Sequence, residues 1–199
     1  MLDLGPATRR VARLLDGVGD DRLGGPTPCP GYTVRELLGH LAGLAVAFRA
    51  AARKDFGPAT DTDPEAAGPV PLPEDWRVAL PRLLEGLAGA WAAPEAWEGT
   101  TRAGGVTLQG EVAGLVALNE VLIHGWDLAR ATGQEYAPDE ASLEASYAML
   151  APTADDPEQR GPFGPPVPVP EGAPLLDRVI GLSGRRPDWA PAAGGGKSG

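Results

Sequence analysis

Apolar residues recur at helical spacing in several stretches of the chain, and segments rich in glycine and proline separate these stretches. Over residues 3–16 the apolar period ends at Gly17, which predicts a first helix. Thr33 and Glu36 have the form of a capping box, so a second helix is expected to begin there and to run to about Lys54. The start of this second helix is therefore well defined by local chemistry.

The same pattern predicts further elements in the rest of the chain. They are a helix over residues 74–92, a short extended pair around the glycines within 94–108, a helix over 109–132 closed by Gly133, a helix over 138–149 and a short helical segment LLDRVIGLSG. Two proline-rich stretches, 56–73 and 152–174, are predicted to be irregular loops. The helix over 109–132 is the longest and most apolar of the set.

This order of elements predicts an all-α protein. Four or five helices with one wholly apolar member favour an up-down four-helix bundle, with long Pro/Gly-rich connections and a short C-terminal helix. A chain of 199 residues is long enough for one buried core. We expect a single domain over residues 1–189 and a disordered tail over 190–199.

The composition of the chain indicates which partners and which cellular compartment to expect. The net charge of −10 leaves no basic stripe for nucleic acid. Cys29 is the one cysteine, so an internal disulfide is excluded and a cytoplasmic location is expected. The N-terminus lacks the apolar region of a signal peptide, and a membrane partner is not expected.

The most informative chemistry lies in the segment NEVLIHGWD within the apolar helix. Glu120 and His124 are four residues apart, so they share a helix face, and Asp127 extends that stripe. Because the surrounding run has no continuous polar face, these side chains are expected to point into the protein. Buried charged groups need partners there.

Two interpretations of this pair remain open from the residues alone. In one, Glu120 accepts a hydrogen bond from His124, and a buried arginine such as Arg82 or Arg130 covers both. In the other, His40 from the second helix joins them as a His/Glu/His metal site between the two helices. His40 by itself is typical of a satisfied core histidine.

Two neighbouring residues also carry alternatives. Asp127 is expected either to fix the tautomer of a ligand histidine from outside the ligand set, to bind Arg130, or to form a salt bridge on the helix surface. Cys29 is flanked by prolines with no group nearby in sequence that lowers its pKa, which favours a packing role.

Three stretches, TPCPGYTVRELLGHLAG, NEVLIHGWDLARATG and GRRPDW, closely resemble actinobacterial relatives of the mycothiol-dependent maleylpyruvate isomerase N-terminal domain, in the DinB-like superfamily. The resemblance covers roughly residues 3–189. It implies a four-helix bundle that holds a divalent metal, usually taken as zinc. Carried over residue by residue, the ligands are His40, Glu120 and His124.

The resemblance also implies an activity. Related bundles act as thiol transferases that use mycothiol or bacillithiol. We therefore expect a metal-dependent enzyme that activates a small-molecule thiol, mycothiol, for addition to a small electrophile, giving transfer or isomerisation. The characterised isomerase has a further sterol-carrier-like domain that supplies an arginine. We expect no counterpart of that domain here, so the resemblance implies a chemistry rather than a substrate.

Several alternatives stay open at this stage. Imidazole and carboxylate ligands also accept nickel, manganese and iron. The protein is expected to be a monomer or a homodimer. A non-enzymatic metal-binding or stress-related protein, and a purely structural polar cluster, are the competing hypotheses.

Overall fold

The computed structural model of the protein describes residues 1–63, 68–154, 156 and 164–191. Its helices are α1 (Gly5–Leu15), α2 (Val34–Arg53), α3 (Pro58–Asp61), α4 (Trp76–Trp91), α5 (Pro94–Trp97), α6 (Gly110–Thr132), α7 (Glu140–Leu150) and α8 (Leu175–Leu182). Strands β1 (Thr100–Ala103) and β2 (Val106–Gln109) pair as an antiparallel hairpin, as predicted for this region. Most of the tail predicted for 190–199 lies outside the described residues.

The four long helices α1, α2, α4 and α6 form a bundle in which α1 and α2 each pack against both α4 and α6. Arg77 at the start of α4 donates to the carbonyl of Val18 beyond the end of α1, so these two helices are antiparallel. The Trp91 indole at the end of α4 donates to a carbonyl in the second half of α2, so those two are parallel. Gln134 after α6 reaches the Leu14 carbonyl, which makes α6 parallel to α1. The predicted four-helix bundle is confirmed, but its directions are up, down, down, up rather than strictly alternating, because the long connection between α2 and α4 lets these two helices run parallel.

The apolar character of α6 has a simple cause, because this helix is covered on two sides. One side faces the bundle core. The other side meets α7 and α8 in a second cluster formed by Leu122, Ile123, Trp126, Leu150, Val179 and Ile180. The helix α6 is long and apolar enough to span a membrane, but 78% of its most apolar stretch is buried inside the fold. Length and apolar composition alone do not distinguish a buried core helix from a membrane-spanning one.

Local chemistry fixes the register of the two helices that carry the candidate site. The Thr33 amide donates to Glu36 Oε2 over 2.7 Å, and the Glu36 amide donates to Thr33 Oγ1 over 3.4 Å, which completes the predicted capping box of α2. At the far end of α6, Gly133 takes the left-handed conformation with φ 71°. A residue without Cβ adopts this conformation freely, which explains why the helix ends there.

The loop predicted over 56–73 is wrong at Pro58–Asp61, where the chain forms the single turn α3. Proline at the first helical position is already set to a helical φ. The Thr60 hydroxyl also accepts the Gly57 amide over 3.0 Å, which caps the turn. Turns of this length leave no periodic apolar signal in a sequence.

Candidate metal centre

Two histidines and a glutamate from different parts of the chain meet between α2 and α6. Glu120 Oε2 lies 3.4 Å from His40 Nε2 and 3.3 Å from His124 Nε2. The two imidazole rings stand edge to face with centroids 4.7 Å apart. One carboxylate oxygen therefore lies beside two ring nitrogens, and all three ligand atoms fall within 4.8 Å of one another.

These separations are compatible with a shared divalent ion and longer than most nitrogen–oxygen hydrogen bonds. Hydrogen bonds between nitrogen and oxygen are usually about 2.7–3.2 Å long. Two atoms that each lie about 2.0–2.2 Å from a tetrahedral zinc are about 3.3–3.6 Å apart. The spacings of 3.3 and 3.4 Å around Glu120 fall in the second range. The donor set, two imidazole nitrogens and a carboxylate oxygen, is also one that zinc accepts.

The cluster is partly open to solvent. The side chain of His40 is 22% exposed and that of Glu120 is 16% exposed, whereas His124 is 8% exposed. Tyr32 lies on the His40 side, with its ring 5.4 Å from the imidazole. The His40 edge is therefore the more accessible side of the cluster, while His124 is held deep in the fold.

Behind His124, two further charged side chains are arranged in line. His124 Nδ1 lies 2.9 Å from Asp127 Oδ2, and Asp127 is fully buried. Arg185, in the segment that follows α8, donates from Nη2 to Asp127 Oδ2 over 3.0 Å and from Nε to Oδ1 over 3.3 Å. The order Arg185, Asp127, His124 leads directly to the candidate ligand set.

In the metal-free protein these contacts move two pKa values in opposite directions. Burial by itself would raise the pKa of Glu120, but hydrogen bonds from His124 and His40 outweigh it and hold that pKa well below its usual value. Burial by itself would lower the pKa of His124, but the contacts with Asp127 and Glu120 raise it to about 9. The metal-free cluster therefore favours a carboxylate beside a protonated imidazole.

Cys29 lies close to this arrangement. Its sulfur is within 4.8 Å of ligand atoms of His124 and Asp127. Burial, reinforced by the Asp127 charge, raises the pKa of the thiol to about 11 although Arg185 is nearby. A thiol with this pKa is a poor nucleophile near neutral pH, which agrees with the packing role expected from the sequence.

The structure decides between the interpretations of Asp127. A surface salt bridge is wrong, because this carboxylate is fully buried. Binding to Arg130 is also wrong, since the guanidinium of Arg130 donates instead to the carbonyl of Trp189, over 3.0 Å from Nε. Asp127 contacts His124 and Arg185, so the contact that would fix a histidine tautomer is present.

Sequence reasoning missed the arginine that reaches the cluster. The expected candidates were Arg82, which is exposed, and Arg130, which holds Trp189. The residue is Arg185, 58 positions from its partner Asp127. The only signal was the GRRPDW segment, which was noted as a resemblance without a role for its first arginine.

The protein is thus a helical bundle with a partly exposed His/Glu/His cluster between two of its long helices. Its residues 4–129 match the family model of the mycothiol maleylpyruvate isomerase N-terminal domain, and the chain belongs to this family. The matched range includes the cluster and Asp127 but ends before Arg185. The family expected from the sequence is confirmed.

Relatives extend the match over most of the chain. An uncharacterised protein of Mycobacterium tuberculosis is 32% identical over 181 residues, which span 87% of this chain and 91% of that protein. A second uncharacterised protein of the same organism is 33% identical over 133 residues, covering 57% of this chain and 48% of its own length. The crystal structure of the mycothiol-dependent maleylpyruvate isomerase aligns with a TM-score of 0.55 at 23% identity, over 74% of this chain and 68% of that one. This structural match shows that the fold is shared.

Proposed function

We propose that the protein is a metal-dependent enzyme that activates a small thiol, mycothiol, for addition to a small electrophile. The observation that carries the proposal is the spacing of 3.3 and 3.4 Å between Glu120 Oε2 and the two histidine Nε2 atoms, at a site with an exposed edge. Zinc is the preferred ion, and nickel, manganese and iron are compatible with the same donors.

Each residue of the cluster has a role in this proposal. His40 and His124 would hold the ion through Nε2 and Glu120 through Oε2, a set of three protein ligands typical of metal sites that also bind an exogenous ligand. A bound divalent cation would supply the Lewis acidity that makes a thiol deprotonate near neutral pH. Asp127 accepts the Nδ1 proton of His124, which keeps the lone pair of Nε2 directed at the ligand set.

The protein's own thiol does not serve as the nucleophile in this account. The pKa of Cys29, about 11, keeps its sulfur protonated. The reacting sulfur is therefore supplied from outside, on the partly exposed side of the cluster where His40 lies. The family to which the chain belongs is named for a mycothiol maleylpyruvate isomerase, which supports mycothiol as the cosubstrate.

Two outcomes follow from the same first step. The sulfur of the thiol forms a bond to an electrophilic carbon, and the displaced electron pair moves onto the electrophile. If that carbon skeleton then takes up the thiol's proton, the result is thiol transfer. If the C–S bond breaks again after rotation about the former double bond, the result is cis–trans isomerisation.

Cobalt substitution provides the test. We expect mycothiol, added to the cobalt-loaded protein, to produce a sulfur-to-metal charge-transfer band and to release a proton. Glutathione, with a different shape and charge, should do so only weakly. Glu120→Gln, which exchanges one ligand oxygen for an amide, should show no band. An unchanged spectrum with saturating mycothiol would remove the thiol chemistry and leave a non-enzymatic metal-binding protein.

A further inference from the structure

We propose that Arg185 is a positioning residue for the metal centre. Through hydrogen bonds from two of its nitrogens to Asp127, it fixes the orientation of His124 and so sets the affinity of the site for its metal. This inference rests on the proposed function, because it concerns the same three ligands. It assigns a role to a residue that lies outside the range matched by the family model.

The contacts of Arg185 are made to groups of the protein itself. Nε and Nη2 donate to the two oxygens of Asp127, and Nη1 donates to the carbonyl of Ser183 over 3.0 Å. The side chain is 9% exposed. Each guanidinium nitrogen is therefore already engaged by a protein oxygen, so the group is placed to hold other side chains.

The two hydrogen bonds from Arg185 fix the plane of the Asp127 carboxylate. Rotation of a carboxylate about its last side-chain torsion is soft, so one hydrogen bond fixes its plane poorly. A planar guanidinium that contacts both oxygens fixes that plane. Oδ2 is thereby held 2.9 Å from Nδ1 of His124. The imidazole is fixed in turn, with Nε2 on the side of Glu120.

Arg185 is itself held in place by the chain segment around it. Arg130, one turn beyond Asp127 on α6, donates to the carbonyl of Trp189. The segment is thus fastened to α6 at two points, Asp127–Arg185 and Arg130–Trp189. Only the first of these touches the metal cluster, which allows the effect of Arg185 to be separated from simple docking of the segment.

Orientation and charge predict opposite signs for the loss of Arg185. If the residue acted only through its positive charge, removing it would raise the affinity for a cation nearby. If it acts by orienting Asp127 and His124, removing it lowers that affinity. The sign of the change therefore discriminates between the two roles.

The experiment compares zinc dissociation constants of the full chain, measured by competition with a chromophoric chelator. Arg185→Gln is expected to weaken zinc binding by about 10-fold or more, the range found when the partner of a ligand histidine is lost. Arg186→Gln is the matched control. Its guanidinium is 69% exposed and, among the residues that the structure describes, its ion pair is with Asp188, so the zinc affinity of this variant should stay within about twofold of wild type.

Two more variants keep the test decisive if Arg185→Gln folds poorly. Arg185→Lys keeps the charge but cannot grip both oxygens, so its affinity should lie between those of wild type and Arg185→Gln. Arg130→Gln loosens the segment without touching Asp127, and its affinity should stay closer to wild type than that of Arg185→Lys. Equal zinc affinity in Arg185→Lys and wild type would overturn the proposal.

A spectroscopic readout tests orientation without any metal. The chain has two histidines, so selective ¹⁵N-histidine labelling gives two imidazole spin systems. The Nδ1 proton of His124 should exchange slowly with water in wild type and Arg186→Gln, and faster in Arg185→Gln. Unchanged exchange together with equal or tighter zinc binding in Arg185→Gln would contradict the inference. Failure of wild type to bind zinc would instead contradict the proposed function.

Discussion

His124 Nδ1 lies 2.9 Å from Asp127 Oδ2, one turn further along the same buried helix. The opposite ring nitrogen of His124 lies 3.3 Å from Glu120 Oε2. One imidazole thus joins a buried carboxylate on one side to the candidate ligand set on the other. This relation makes Asp127 the first residue to test outside the three ligands.

Asp127→Asn preserves the shape of the side chain but removes its charge. We expect zinc affinity to fall by about 10–100-fold, because an amide binds the Nδ1 proton less strongly than a carboxylate. The free energy of unfolding of the metal-free protein should fall by about 3–5 kcal/mol, since Arg185 would lose its buried partner. Chelator competition and urea unfolding measure these two effects.

Asp188→Asn serves as the control for that substitution. Its carboxylate is 72% exposed and pairs with Arg186, so both quantities should remain near wild type. If Asp127→Asn behaved like Asp188→Asn in both measurements, the role assigned to Asp127 would be wrong.

The metal-free protein should lose stability as the pH rises from about 6.5 to 9. The pKa of His124 is raised from 6.5 to about 9 in the folded state, where burial opposes the shift and the hydrogen bonds with Asp127 and Glu120 outweigh it. Because the folded pKa lies above the unfolded one, this stabilisation is complete below pH 6.5 and disappears as the pH passes through 9. The melting temperature in the presence of a chelator measures it.

His124→Gln should lack this decline between pH 6.5 and 9. Saturating zinc should oppose it in wild type, since metal binding requires the deprotonated imidazole and strengthens with pH. Glu120 acts at the other end of the scale. Its lowered pKa contributes stability above its usual value that is lost as the pH falls through the folded value. If the melting temperature of wild type fell no further than that of His124→Gln over this pH range, the stabilising contacts assigned to His124 would be wrong.

Cys29 should react slowly with iodoacetamide in the folded protein. Its pKa is raised from 9.0 to about 11 by burial and by the charge of Asp127. The thiolate fraction at pH 8, and with it the rate, should be about 100-fold lower than in the same chain unfolded in urea. The chain has one cysteine, so the measured rate belongs to this thiol. Equal rates in the two states would reopen a nucleophilic role for Cys29.

The parts of the site that lie within one helix were predictable from the sequence. Glu120 and His124 are separated by one helical turn, and Asp127 follows at the next, so a single apolar helix places all three on one face. The capping box at Thr33 and Glu36 likewise fixed where α2 begins. Local spacing carries this information because the geometry of a helix is the same in every fold.

Contacts between distant segments were beyond this reasoning. His40 was a candidate partner from the residues, but only the family resemblance favoured it over a core histidine. Arg185 lies just after the short helix α8, in a segment with no helical period of its own, and it reaches Asp127 across 58 residues. Its role depends on how the segment after α8 packs on α6, and no local pattern encodes that packing.

Zinc binding by Glu120→Gln, compared with Glu111→Gln on the exposed face of the same helix, tests the central claim most directly. The account predicts one zinc per chain in wild type and in Glu111→Gln, and an affinity at least about 100-fold weaker in Glu120→Gln, a loss of about 3 kcal/mol or more. His40→Ala and His124→Ala should show the same loss, with helical content retained because the apolar faces hold the bundle. Wild-type protein that binds no divalent metal, or Glu120→Gln that binds zinc as tightly as Glu111→Gln, would contradict it.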